Sequence, residues 1–180
     1  VRPHIVSISG AIANVSEIAV DNTTIRGAYT TSGSSADVAL CSLRFGSVVT
    51  NVSKIAVTRN TIDVRASSSQ GGINVFATFF NRTLSGSGAA GSVLNFTGNS
   101  ILGTFGAGSN VVAGVAWFSE AVSNYDAVVA THNSVGDISA TSSGSIIEIY
   151  TLRFENTVTL LGLSSSAVTM QGHAMSNVTA

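Results

Sequence analysis

Cysteine occurs once in the 180 residues, and so does proline. A single cysteine excludes an internal disulfide framework. Charge is scarce as well. Asp, Glu, Lys and Arg make up 9% of the chain, against about 25% in an ordinary globular domain. Lys and Arg number 8 and the net charge is -1, so the basic surface that a nucleic-acid partner requires is missing. From Thr83 to Ser119 no residue is charged, but Asn95, Asn99, Asn110 and many Gly, Ser and Thr interrupt that stretch. No run of about 18 apolar residues results, so no membrane span is expected in this segment. Leucine numbers only 9, and the residues that favour helices are thin throughout. The chain opens at Val1 without a basic-then-apolar leader and reads as a piece of something longer.

What is present favours strands. Val and Ile number 22 and 13, and Ser and Thr 28 and 18. β-branched residues at this density suit a pleated, half-buried surface, and so much Val and Ile argues against disorder.

A repeat organises the chain. Glu17-Ile-Ala-Val-Asp-Asn-Thr-Thr-Ile25 resembles Lys54-Ile-Ala-Val-Thr-Arg-Asn-Thr-Ile62. Val93 to Ile101 and Ala127 to Val135 follow the same pattern, with Leu160 to Val168 as a weaker fifth copy. Apolar residues recur at offsets 0, 2 and 7, as in Ile55, Val57 and Ile62. A second unit lies between the copies: Val38 to Phe45, Ile73 to Phe80, Val111 to Phe118 and Ile147 to Phe154, each ending in Phe. Both units open with the alternation of a strand. Strand starts then fall at 18, 38, 55, 73, 94, 111, 128, 147 and 161, mostly 17–21 residues apart.

That spacing predicts an all-β fold, a right-handed parallel β-helix of stacked coils with roughly 17–21 residues per coil. One alternative is a coil of 33–39 residues with long loops. The Asn positions separate the two. Asn60, Asn99 and Asn133 sit at offset five in alternate units, with Thr23 and Ser166 in the outer copies. They form a hydrogen-bonded ladder only in the longer coil. In the shorter coil they are turn residues that tolerate left-handed backbone. A β-sandwich is a more distant alternative, disfavoured by the self-similarity of the strands. The chain is expected to be one repeat segment over residues 1–180.

The Ile-x-Val-x-x-Asn-x-Ile units, the Asn-Val-Ser leads and Asn124-Tyr-Asp-Ala-Val-Val-Ala-Thr-His-Asn-Ser-Val135 resemble the dispersed gene family 1 surface proteins of trypanosomes. The resemblance covers most of the chain. It implies a segment of a very large β-helical surface protein that acts in attachment to host cells or matrix. Members of that family carry more cysteine, and membrane spans near the C-terminus, so disulfides and an anchor are not carried over to this chain.

The chemistry-bearing residues give little sign of catalysis. Cys41 has no CxxC or Cys-His company and reads as a packing or surface position. His4, His132 and His173 show no metal-ligand spacing, and His132 falls at a turn position held by Arg59 and Gly98 in other copies. Gly86-Ser-Gly-Ala-Ala-Gly91 matches a dinucleotide fingerprint by letter only, because a strand pattern follows it. Glu17, Asp21, Asp37, Asp63, Glu120, Asp126, Asp137, Glu148 and Glu155 share no offset in consecutive coils. A carbohydrate-active β-helix, the enzymatic alternative, would cluster such acids on one face. Arg44 and Arg153 share the offset before Phe but lie far apart in the order of short coils. No catalytic residue, cofactor or metal site is expected.

The remaining candidates are surface features. Asn14, Asn22, Asn51, Asn81, Asn95 and Asn177 are N-x-S/T acceptors for glycans, although a turn-forming role also accounts for Asn14 and Asn51. Asn95 is expected to face outward between Leu94 and Phe96. Phe45, Phe80, Phe118 and Phe154 are expected as core columns. Phe79 and Trp117, one position earlier, are expected outside, where they could meet a sugar or a partner beside Tyr125 or Tyr150. The sequence-level reading is a surface or secreted adhesive and structural solenoid. Its partner would be a host matrix protein or glycan, and exposed end coils would lead the fragment to associate end to end.

Overall fold

The computed structural model describes residues 4–32, 38–143, 146–161, 163 and 168–179; the side chains at 4, 5, 140 and 177–179 lie outside the description. Every regular element among the described residues is a strand. The first coil consists of β1 (His4–Ile8), β2 (Ile12–Asp21) and β3 (Thr24–Thr31), and the second of β4 (Val38–Phe45), β5 (Val49–Thr58) and β6 (Thr61–Ser68). The third contains β7 (Ile73–Phe80), β8 (Leu84–Gly86), β9 (Val93–Thr97) and β10 (Ser100–Ala107). The fourth contains β11 (Val111–Phe118), β12 (Val122–Tyr125), β13 (Ala127–Thr131) and β14 (Ser134–Ser142). The last contains β15 (Ile147–Phe154), β16 (Val158–Leu160), β17 (Val168–Gln171) and β18 (Ala174–Thr179).

Each coil contributes to three parallel sheets. The first sheet runs β1-β4-β7-β11-β15 and the third β3-β6-β10-β14-β18. The second collects β2, β5, β8, β9, β12, β13, β16 and β17. With five strands in the first and third sheets, the chain returns to each of them four times. This is a β-solenoid, as the repeat predicts.

Its coil is the longer alternative, and the 17–21-residue coil is overturned. Val38 pairs with Ile73, not with any residue of β5. Successive ladder residues are 37, 39 and 34 residues apart. Two of the three faces carry strong alternation, and each by itself has the sequence signature of a coil. Nor does the longer coil need long loops: only Arg59 and Asn60 separate β5 from β6. The fifth copy is also displaced. Val168, not Leu161, pairs with Val128, and Ala174 pairs with Ser134. This puts His173 in the ladder position; Ser166 lies outside the described residues.

Two left-handed backbone positions shape the coil. Asn14, Asn51 and Asn124 have φ of 60°, 53° and 58°. Each bends its strand so that two inward residues fall three apart, as with the buried pairs Val49 and Val52, and Val122 and Tyr125. The second position, just before the ladder residue, is held by Asn22, Arg59, Gly98, His132 and Gly172, with φ from 51° to 68°. Asn and Gly adopt this region most readily. Arg59 and His132 are held there by the strands on either side.

Inside, like side chains stack in columns. Phe45, Phe80, Phe118 and Phe154 lie ring on ring at 4.7, 4.8 and 4.6 Å, with interplanar angles below 10°. Phe96 meets Phe118 edge-on at 5.8 Å. The Asn ladder is as regular. Asn60 and Asn99 are 0% exposed and Asn133 2%. The Asn99 amide donates to Asn133 Oδ1 at 3.0 Å and to Val57 O at 2.8 Å. Its Oδ1 accepts from Asn60 N and Asn60 Nδ2 at 3.1 and 3.0 Å. All four hydrogen-bonding capacities of the side chain are filled, which is what makes a buried amide tolerable.

Candidate functional site

The outer face of the first sheet carries the aromatic candidates. Register aligns Arg44 with Phe79, Phe79 with Trp117, and Trp117 with Arg153. Phe79 and Trp117 are half-buried, on the outer face as expected. Their rings are 4.8 Å apart at 44°. The Arg153 guanidinium lies 4.8 Å over Trp117 and 5.3 Å from Tyr150. Phe76 packs beneath, 5.2 Å from Trp117 and 2% exposed. Gly114 makes room for it: a Cβ there would stand 3.1 Å from Phe76 Cε1 and 2.6 Å from Tyr150 O.

Trp117 therefore has Phe79 on one side and a cation on the other. Arg153 is itself anchored by Glu148 at 3.1 Å and Glu155 at 2.7 Å. Desolvation first, and a hydrogen bond to Glu148 second, raise the Tyr150 hydroxyl above its ordinary pKa. Phe79 and Arg153 occupy the two sides of the Trp117 ring and its indole N–H is itself buried, so stacking a sugar on Trp117 is disfavoured. Tyr125 does not flank it. That side chain is 0% exposed in the core, its hydroxyl without a partner among the described residues and its pKa driven upward by burial.

Other carboxylates act between coils. Glu17 pairs with Lys54 at 2.9 Å, Arg26 with Asp63 at 3.6 Å, and Asp21 with Arg59. The first two are register partners across the boundary between the first and second coils. A hydrogen bond from Thr58, then one from Arg59, holds the Asp21 carboxyl below its usual pKa. Such exposed pairs are screened by solvent and contribute little to stability. Asp126, 2% exposed, accepts from the Gly91 N–H at 2.9 Å and clamps the preceding loop. Asp37 lies outside the described residues. Among the described residues no three His, Cys, Asp or Glu gather as metal ligands.

Other candidates resolve into architecture. Cys41 is 4% exposed, and burial pushes its thiol up to about 12. A strand, β9, follows Gly86–Gly91, so no helix N-terminus is there to receive a dinucleotide phosphate. His132 is an exposed left-handed turn residue. His173 is half-buried, with neither ring nitrogen partnered among the described residues. The His4 side chain is outside the described residues. No helix among the described residues is long and apolar enough to cross a membrane.

Asn14, Asn22 and Asn51 are exposed with left-handed backbone. The Asn51 amide donates to Asn14 Oδ1 at 2.6 Å, linking two corners. Asn81 and Asn95 are half-exposed, and Asn95 faces outward between buried Leu94 and Phe96 as expected. The Asn177 side chain is outside the described residues.

A feature missed in the sequence lies on the outer face of the third sheet. A groove of about 270 Å³ is lined there by Arg65, Thr104 and Gly106 among others. The signal was available at the longer period, where Ser and Thr recur in register on β3, β6, β10 and β14. No family model, curated protein or solved structure matches the chain.

Proposed function

We propose that the chain is an adhesive and structural solenoid, surface-displayed or secreted, that attaches to a host matrix protein or glycan. The observation that carries this reading is that most of its buried polar and paired charged groups are engaged within the solenoid itself. Buried amides fill one another's hydrogen bonds, acids meet bases, and the thiol is buried. What remains for a partner is a set of long, nearly neutral outer faces, suited to many weak contacts summed along the rod. The resemblance to the trypanosome surface family supports the same function, and exposed Asn14, Asn22 and Asn51 suit glycan attachment. The reading is non-enzymatic.

We also propose that this segment, taken alone, associates end to end. Val168, Met170 and Met175 are 55%, 53% and 54% exposed, although they continue columns buried in the fourth coil. Light scattering should find oligomers that V168K/M175K dissociates; a monodisperse wild-type monomer overturns this part.

The test of adhesion is expression through a glycosylating secretory route and incubation with a panel of matrix proteins and glycans. Retention and ligand mass are read together. Intact, retained ligand is the expected result. Shortened ligand, or no retention on any surface, overturns the reading.

A further inference from the structure

We propose that the groove on the third sheet is a subsite for one sugar unit carrying a carboxylate, within a hydroxyl-rich acidic glycan. The inference rests on the adhesive reading and names its ligand class. Two outward rows form the site. Ala28, Arg65, Thr104 and Ser139 align in one, and Thr30, Ser67, Gly106 and Thr141 in the next. Within a row, neighbours are about 4.8 Å apart. At Gly106 the second row has no side chain, and a Cβ there would meet nothing nearer than Thr141 Oγ1 at 3.7 Å. The result is a notch lined by Ala28, Ala66 and Phe105 as well as by the hydroxyls of the two rows. Its volume of about 270 Å³ lies just below the range of drug-sized pockets and suits a single ring.

Arg65 supplies the charge selection. Arg26, Arg59 and Arg153 each have a carboxylate partner, whereas Arg65 is exposed on the groove wall with none among the described residues. The acid nearest along its strand, Asp63, is engaged by Arg26. A guanidinium offers a planar fork that matches a carboxylate with two parallel hydrogen bonds. Ser67 Oγ donates to Thr30 Oγ1 at 3.2 Å and keeps its acceptor capacity, while the hydroxyls of Thr104 and Thr141 both donate and accept, which is what a sugar ring's own hydroxyls require. An inorganic anion would use Arg65 but leave the hydroxyl rows idle.

The probes are a hexuronate oligomer and the same oligomer with its carboxylates methyl-esterified, titrated calorimetrically at low and moderate salt. Wild type should bind the acid at least tenfold tighter than the ester, with the difference shrinking as salt rises. Arg65→Gln should lose about tenfold or more for the acid and little for the ester. Gly106→Val should weaken both by filling the notch. Thr104→Val, which keeps shape and removes a hydroxyl, gives a second readout should Gly106→Val misfold. Equal affinity for acid and ester, or binding untouched by Arg65→Gln, overturns the subsite. So does the absence of hexuronate binding in a protein that is still retained on matrix, which leaves the adhesive reading standing. Hexuronate binding without retention on any matrix or cell surface leaves the subsite standing and removes adhesion.

Discussion

Replacing Asn99 with Ala tests whether the buried amide ladder holds the coils together. The substitution removes four hydrogen bonds made by one side chain that is 0% exposed. The Asn99 backbone N–H still reaches Asn133 Oδ1 at 2.9 Å, so that acceptor keeps a partner. The Asn60 N–H and one Asn60 Nδ2–H lose their acceptor, and Asn60 is itself fully buried. Stranding a buried donor costs about 1–3 kcal/mol, so the two together predict a loss of about 2–6 kcal/mol. Against a total stability of about 5–15 kcal/mol, the urea midpoint should fall steeply at unchanged slope. The control is Ser100→Ala, next in sequence but half-buried, which removes one bond from Ser134 at 3.0 Å. It should cost about 1 kcal/mol or less. If Asn99→Ala costs no more than Ser100→Ala, the ladder is decoration and the argument fails.

Phe80→Ala opens the middle of the ring column and should cost about 3–5 kcal/mol, measured by the same titration; Phe80→Leu should cost markedly less. Cys41 should resist a thiol reagent at pH 8 in the folded protein and react fully in denaturant, because burial lifts its thiol to about 12. Folded-state labelling at the unfolded rate would refute this. The Asp21 carboxyl titrates lower in the folded chain than in the unfolded one. Its contribution is therefore present above its unfolded value near pH 4 and is lost as pH falls through the folded value. Thermal melts from pH 6 to pH 2 should show a smaller acid-dependent loss in Asp21→Asn than in wild type. His173→Asn should extend the ladder, giving an acceptor to the Asn133 Nδ2–H that has none among the described residues, and raise hydrogen-exchange protection in β18 about fivefold.

The two strongest columns were legible because each repeats one residue type. Phe45, Phe80, Phe118 and Phe154 can be aligned by eye, and so can Asn60, Asn99 and Asn133. The third sheet was hidden by volume exchange. Val64 pairs with Gly103, and Ala66 with Phe105. A Cβ on Gly103, at φ 149°, would stand 2.1 Å from Val64 O and 3.1 Å from the Phe105 ring. The large ring and the missing side chain belong to one packing solution, yet in sequence they break the repeat. The last copy went out of register because Leu161, Leu163 and Val168 satisfy offsets 0, 2 and 7 as well as Val168, Met170 and Met175 do. Only the hydrogen-bonded register chooses the second set.

Coil length decides which outward side chains are free to meet a partner. With coils of 17–21 residues, Arg44 and Arg153 stand many coils apart and Phe79 and Trp117 are isolated outward rings, open to a ligand. With the coil doubled, the four become consecutive rungs of one column. Phe79 and the Arg153 cation then cover Trp117, and the aromatic surface joins the rod's own stiffening. The same doubling brings Arg65 beside Thr104 and Ser67 beside Gly106, residues whose sequence separation gave no hint of contact. Outwardness can be read from alternation within a strand. Whether an outward side chain is free depends on what the next coil places beside it, and a one-coil error reverses that answer for every residue on the face.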